Sequence, residues 1–533
     1  MTCGEAVVKL LEAYGVDTVF GIPGVHNLEL YRGLANSNIR HILTRHEQGA
    51  GFMADGCARL SGKPGVCFVI SGPGVTNIST PMGQAYSDSV PMLVLSSDAP
   101  SETLGKGLGY LHEVTDLSAV TKPLTAFSEI AKSSDEVTEL IARAFDIFAS
   151  QRPRPVHIAI PLDILAEEVR TEWRAQTVAS KPAPHPAEIE RATHLLSEAE
   201  RPVVIVGGGF AVEGVTSLSY LVESLDASLV TTSAGKGILP ETHLLSLGAS
   251  VNQRATQALI SSADVVLVLG TELADTDTFA GHYQFGGKLI HVNIDARQID
   301  NFFDTELGIV ADAAATVKAI SEKIEKSNAK TEGDSQAQVV KIKREISESL
   351  SPLEKEHHTL LKSLHNVLPE DAFITADMTQ LAYSAIHLLP APHPNSWLFP
   401  MGYGTLGYAL PAAIGAKLAS PERAGAVLVG DAGVQYTLQE LGTAVEHKLP
   451  LAIILWNNGG LGEIERSMAA VGIDPAQVRP HNPDFVALAK AYGCDALRVE
   501  SQTEFERAVS ESGTKDKPTL IEVVQGSEWL KWD

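Results

Sequence analysis

Short β-branched apolar runs alternate with helical stretches and glycine-bearing turns from one end of the chain to the other. Val66–Ile70, Met92–Ser96 and Val156–Ile160 are apolar on both faces, as strands are when helices cover both sides of a parallel sheet. The rhythm returns at Pro202–Val206, Val265–Leu269 and Leu289–Ile294, and again at Ala426–Val429, Leu451–Trp456 and Thr519–Val524. Such alternation predicts an α/β chain built from three doubly wound parallel-sheet domains. Two stretches interrupt it. Thr171–Pro186 contains Lys-Pro-Ala-Pro-His-Pro and reads as a stiff extended linker, and the polar Ser327–Gln336 leads into a charged helix running to about Glu356. The expected units are a first domain over 1–170, a central domain over 187–326 and a third over 356–533.

A chain of 533 residues has enough length for this, since cores stop growing and chains divide beyond roughly 250–300 residues. Lys and Arg number 41 against 65 Asp and Glu, a net charge of −24 that argues against a nucleic-acid partner. No apolar run reaches the roughly 18 residues needed to cross a bilayer, so no membrane partner is expected. The start, Met-Thr-Cys-Gly-Glu-Ala-Val-Val-Lys-Leu-Leu, reads as an amphipathic helix without the basic region of a signal peptide. The four cysteines, Cys3, Cys57, Cys67 and Cys494, show no metal-ligand spacing. A cytoplasmic enzyme acting on a small molecule is the expectation.

The most informative chemistry lies in the last third. Val427-Leu428-Val429-Gly430-Asp431-Ala432-Gly433 is an apolar strand ending in a carboxylate and small residues. A helix over Leu438–Lys448 and a second strand ending in Asn457-Asn458 follow, so Asp431 and Asn458 stand 27 residues apart, one strand-helix-strand unit. Both strand ends then reach the carboxyl edge of the sheet, where ligands bind. A carboxylate and an amide oxygen converging there are hard ligands for Mg²⁺ or Ca²⁺, with a diphosphate completing the shell. Either piece alone is equally a helix cap or a turn. The pair at this spacing is harder to explain so.

The Gly-Asp-Ala…Asn-Asn pattern resembles the thiamine-diphosphate motif of the acetolactate synthase and pyruvate decarboxylase superfamily, with Ala432 where many members have Gly. The resemblance implies thiamine diphosphate and Mg²⁺ as cofactors, with Asp431, Asn458 and the main-chain carbonyl of Gly460 as metal ligands. Gly430, Ala432 and Gly433 line the diphosphate. Arg45-His46-Glu47-Gln48-Gly49-Ala50-Gly51 resembles the segment carrying the superfamily's glutamate, which shares a proton with the cofactor's aminopyrimidine; Glu47 is the candidate. Taken alone, Glu47 would be an ordinary surface glutamate. Ser71-Gly72-Pro73-Gly74-Val75-Thr76-Asn77 resembles the pyrimidine-side loop, placing Pro73 and Asn77 at the cofactor. Gly404-Thr405-Leu406-Gly407 resembles the segment whose glycine carbonyl accepts from the cofactor's amino group and whose Leu406 wedges it. Thr375–Gln380 matches the diphosphate turn loosely, offering Thr379 and Gln380. The family joins its first and third domains across a homodimer, often a dimer of dimers.

Around the reacting centre the resemblance points to a 2-oxo acid substrate. Leu111-His112-Glu113 places His112 where the synthases have a glutamine, and an imidazole can deliver a proton near neutral pH. Val25-His26 sits near the same mouth, with Val25 where pyruvate decarboxylases carry an acid. Leu111 and Val25 are the apolar candidates for substrate contact. After the metal motif, Glu463 and Glu465 stand on a helix where acetolactate synthases are apolar, and Ser467 takes the place of a Trp. A carboxylate there would pair with a guanidinium, and only one of two residues two apart on a helix faces the substrate. Equally, both are solvated surface charges. Within the superfamily the chain most resembles the 5-guanidino-2-oxopentanoate decarboxylases, which implies decarboxylation of a long, cationic 2-oxo acid to its aldehyde. A synthase-like carboligase, a sulfoacetaldehyde acetyltransferase-type acyl transfer and a non-catalytic relative stay open.

The central segment Val204-Ile205-Val206-Gly207-Gly208-Gly209 ends a strand in glycines but lacks the third glycine of a dinucleotide fingerprint. Some relatives bind FAD or ADP there. The pattern argues against FAD and leaves a nucleotide effector open.

Overall fold

The computed structural model describes residues 1–278, 284–324 and 334–531. Within them the chain forms three parallel sheets with flanking helices. The first contains β1 (Thr18–Gly21), β2 (Arg40–Leu43), β3 (Gly65–Val69), β4 (Met92–Asp98), β5 (Phe127–Ile130) and β6 (Val156–Pro161), in the order β2-β1-β3-β4-β6-β5. The second contains β7 (Pro202–Val206), β8 (Ser228–Thr231), β9 (Val265–Leu269), β10 (Lys288–Asn293) and β11 (Leu307–Val310), in the order β11-β10-β9-β7-β8. The third contains β12 (Phe373–Ala376), β13 (Trp397–Leu398), β14 (Gly425–Gly430), β15 (Leu451–Asn457), β16 (Asp495–Arg498) and β17 (Thr519–Val524), in the order β13-β12-β14-β15-β17-β16. Each order doubles back next to its first strand, which opens a crevice at the carboxyl edge. The doubly wound expectation holds.

Three local expectations change. Leu438–Lys448 is not one helix: Leu438–Glu440 is a tight 3-10 turn and the α-helix is only Leu441–Glu446. The charged helix toward Glu356 is two helices, Asp334–Glu348 and Pro352–Val367. Pro352 lacks the N–H that would continue a helix, and Ser351 and Glu354 form a reciprocal cap that starts a new one. The segment from Pro73 onward is helix Pro73–Ser87, not loop, with proline at its favoured first position. Residues 171–185 run without helix or strand, and 327–333 of the second polar stretch lie outside the described residues.

One apolar core runs through both the first and third sheets, including Phe52, Met53, Tyr408, Ala412 and Leu455. Its centre is a crossing of helix Glu47–Ser61 with helix Ala409–Ala419. The backbones touch. A methyl group on Gly56 would overlap the Ala412 carbonyl, and one on Gly415 would overlap the Met53 carbonyl. Polar contacts flank the crossing: Tyr408 Oη donates to Asp55 Oδ1 at 2.7 Å, and Arg59 pairs with Asp55 at 2.6 Å and with Asp88 at 2.7 Å.

The middle sheet is anchored on both neighbours. Arg152 Nη1 reaches Glu272 at 2.8 Å, and the buried Lys236 bonds both Glu241, at 2.8 Å, and the Ile386 carbonyl, at 2.9 Å. Gly207, Gly208 and Gly209 bring their turn against Thr271, Ala234 and Gly270, so their lack of side chains serves packing inside the sheet's own edge.

Candidate active site

In the third sheet the crevice lies between the ends of β12 and β14. Asp431 follows β14, is buried, and has its carboxyl pushed up by burial. Asn482 Nδ2 holds its Oδ2 at 2.5 Å, and Gln435 Nε2 bonds the Asn482 amide oxygen at 3.1 Å. Asn458, just past β15, accepts from Gly460 N at 3.2 Å and donates to Gln380 Oε1 at 3.3 Å. Gly459 takes a left-handed φ of 77°, which turns the chain back here. A Cβ on Gly430 would lie 3.0 Å from Thr379 Oγ1, so the floor of the turn is a cradle that only a missing side chain leaves open. The structure thus gathers Thr379, Gln380, Gly430, Asp431, Ala432, Gly433, Asn458 and Gly460 at the carboxyl edge of one sheet, beyond the ends of β12, β14 and β15.

This donor set fits the expected group. One carboxylate, one amide oxygen and one carbonyl are hard ligands that leave room for phosphate oxygens around Mg²⁺. Among the described residues no group of three His, Cys, Asp or Glu could hold a metal by side chains alone. Leu406 leans toward the same turn, its Cδ2 3.6 Å from where a Gly433 Cβ would lie, and Gly404 has a φ of 69°. Asp377, at the end of β12, accepts from Gly407 N at 2.9 Å and so fixes this segment; burial raises it to about 6.

The first sheet supplies the other group. Glu47 begins helix Glu47–Ser61, is buried, and its Oε2 accepts from Asn77 Nδ2 at 2.9 Å. Pro73 stands at the exposed start of the helix that carries Asn77. The backbone just before Glu47 is clamped from the third domain: Glu440 accepts from Arg45 N at 3.0 Å and from His46 N at 3.1 Å. Burial raises the Glu440 carboxyl.

At the switch of the first sheet, His26 Nδ1 lies 3.1 Å from Ser71 Oγ, and its ring meets His112 edge-on at 5.0 Å. Burial, and then the charge of His112, lowers the His26 pKa. His112 has a left-handed φ of 68°, and its Nδ1 is buried without a partner. A non-glycine residue in that conformation is held by its surroundings, and here Gly72 packs against its backbone. Val25 and Leu111 are exposed beside this pair. Glu463 and Glu465 part company. Glu465 is tied to Arg479, whereas Glu463 accepts from Gln380 Nε2 at 3.2 Å and pairs with Arg466.

Sequence reasoning missed Asn482, Gln435, Glu440, Asp377 and Ser71. The carboxyl-edge rule, applied to β12 as it was to β14, would have found Asp377. Asn482 is 51 residues from its partner and carries no local signal.

Three models of the thiamine pyrophosphate enzymes match the chain: the N-terminal TPP binding domain over residues 1–120, the central domain over 189–320 and the C-terminal TPP binding domain over 377–523. The chain is 50% identical to probable 2-ketoarginine decarboxylase AruI of Pseudomonas aeruginosa over 527 residues, covering 98% of this chain and 94% of that one. It is 33% identical to a probable acetolactate synthase large subunit of Methanocaldococcus jannaschii over 98% of this chain and 92% of that one. The acetolactate synthase isozyme 1 large subunit of Escherichia coli is 32% identical, with coverages of 98% and 93%.

Proposed function

The chain belongs to the thiamine pyrophosphate enzyme family, and from that premise we propose that it decarboxylates a long, cationic 2-oxo acid, 5-guanidino-2-oxopentanoate, to the aldehyde. The observation that carries the reading is 50% identity along almost the whole chain to a probable 2-ketoarginine decarboxylase. The intact pairing of Glu47 with Asn77 and the intact Asp431–Asn458 turn support it.

Asp431, Asn458 and the Gly460 carbonyl would hold Mg²⁺, and Thr379, Gln380 and the Gly430–Gly433 turn would hold the diphosphate. When bound, the cofactor would supply a nucleophilic carbon and an electron sink for loss of carbon dioxide from a 2-oxo acid. The protein's task is then proton traffic in a dry site. Glu47 has one oxygen engaged by Asn77 and the other to share a proton with the cofactor's ring. His112, with an unpartnered Nδ1, and His26 beside it are suited to deliver the proton that completes the aldehyde. Glu47 of one protomer and Asp431 of its partner form each site in a homodimer, as the resemblance implies.

The test is direct. Purified protein with Mg²⁺ and thiamine diphosphate is assayed against 5-guanidino-2-oxopentanoate and pyruvate, with aldehyde and acetolactate both read out. Aldehyde from the guanidino acid is expected; acetolactate from pyruvate as the main product would replace this reading with a synthase.

A further inference from the structure

Helix Gly462–Ala470 leaves β15 through the Asn457-Asn458 turn and contains no fully buried residue. Its first turn still makes one inward contact. Gln380 receives Asn458 Nδ2 on its Oε1 at 3.3 Å and passes its own Nε2 to Glu463 Oε2 at 3.2 Å. Gly462 permits this approach, because a Cβ there would lie 2.6 Å from Gln380 Oε1. Burial, and then the Glu463 charge, push the Tyr383 hydroxyl up to about 12. The remaining Glu463 oxygen takes the guanidinium of Arg466, whose side chain is 74% exposed.

A carboxylate backed by an amide and already holding a guanidinium is a site that displays its own ligand chemistry. Guanidinium groups bond carboxylates through paired N–H donors and stack on aromatic faces. Arg466 approaches from solvent, one turn along the same helix, where such pairs are screened and weakly held. Resting on the reading of a cationic 2-oxo acid, we propose that Glu463 binds the terminal guanidinium of the substrate and that Arg466 is an internal stand-in which the substrate displaces. Gln380 links this carboxylate to Asn458, so the distal end of the substrate is registered against the residue assigned to the metal. Glu465 has no such link and stays with Arg479.

The decisive measurement is calorimetric titration of the protein loaded with Mg²⁺ and thiamine diphosphate by 5-guanidinopentanoate, which carries the cation but no 2-oxo group. The ratio of kcat/KM for 5-guanidino-2-oxopentanoate over 2-oxohexanoate is measured in parallel. Glu463→Gln should weaken guanidinopentanoate binding and lower that ratio by about tenfold each, through KM, as loss of a charge-assisted pair does. Glu463→Asp should recover part of both, and Arg466→Ala should tighten guanidinopentanoate about twofold by removing the competitor. An unchanged affinity and ratio in Glu463→Gln, with the wild type still decarboxylating the guanidino acid, would overturn this assignment alone. A wild type that neither binds guanidinopentanoate nor prefers the guanidino acid would overturn it together with the substrate reading.

Discussion

The first and third sheets share one strand order, each with its second strand outside its first and its last two strands exchanged, yet their carboxyl edges carry different chemistry. In the third, β14 runs into Gly-Asp-Ala-Gly and a 3-10 turn, and the edge collects oxygen acceptors: Asp431, Asn458 and the Gly460 carbonyl. In the first, β3 runs through Ser-Gly into a helix that starts at Pro73, and the edge collects a carboxylate and two imidazoles: Glu47 hydrogen-bonded by Asn77, and His26 hydrogen-bonded with Ser71 and edge-on to His112. Where the two halves meet they are alike again. Glu440 takes amide protons from the Arg45–His46 turn, and Asp88 takes one from Gly402. Topology therefore assigns the place of each site, and the few residues at the strand ends assign its work.

The largest effect should come from breaking one half at a time. Glu47→Gln should lower turnover about a thousandfold, the scale of general acid–base catalysis, with cofactor affinity little changed. Asp431→Ala should instead abolish Mg²⁺-dependent cofactor binding, seen by calorimetry. If the halves work across protomers, mixing the two dead variants under subunit exchange should restore about a quarter of wild-type activity, since half the dimers then carry one intact site. No recovery would place both groups of a site in one chain. The shared crossing comes next. Gly56→Ala and Gly415→Ala should each lower stability by about 1–3 kcal/mol, read as a shift in urea midpoint, because overpacking forces the backbones apart. A loss at one position only would show that the likeness of the halves stops at outline.

The smallest effect concerns pH. Each sheet keeps a buried strand-end carboxyl raised from 3.8 to about 6: Asp98 in the first, through burial and then Asp116, and Asp377 in the third, through burial. The folded value lies above the unfolded one. The neutral acid's contribution is therefore fully present below pH 3.8 and is lost as pH rises through about 6. Asp98→Asn and Asp377→Asn should each flatten the stability profile across that window. A slope unchanged in both would remove these carboxyls as its source.

Legibility in the sequence followed burial. The central strands β3, β4, β6, β9, β14, β15 and β17 are buried along nearly their whole length, so each reads as a mostly apolar run, broken only by residues such as His157 in β6 and Glu522 in β17. Three edge strands escaped: Arg40–Leu43 is partly exposed and charged, Asp495–Arg498 begins and ends in charge, and Trp397–Leu398 has two residues. Asp431 and Asn458 could be proposed because local spacing pairs them, and Glu47 because its flanking segment resembles the family's. Asn482 and Glu440 were not, because each acts through a partner brought close only by the fold.

The glycine crossing also bears on how such a chain can be recombined. Helices Glu47–Ser61 and Ala409–Ala419 touch backbone to backbone at Gly56 and Gly415, so neither surface tolerates an ordinary side chain from the other's counterpart. A chimera that takes its first domain from one relative and its third from another inherits this contact as a matched pair or does not assemble. The unit of exchange across this contact is therefore the two outer domains together.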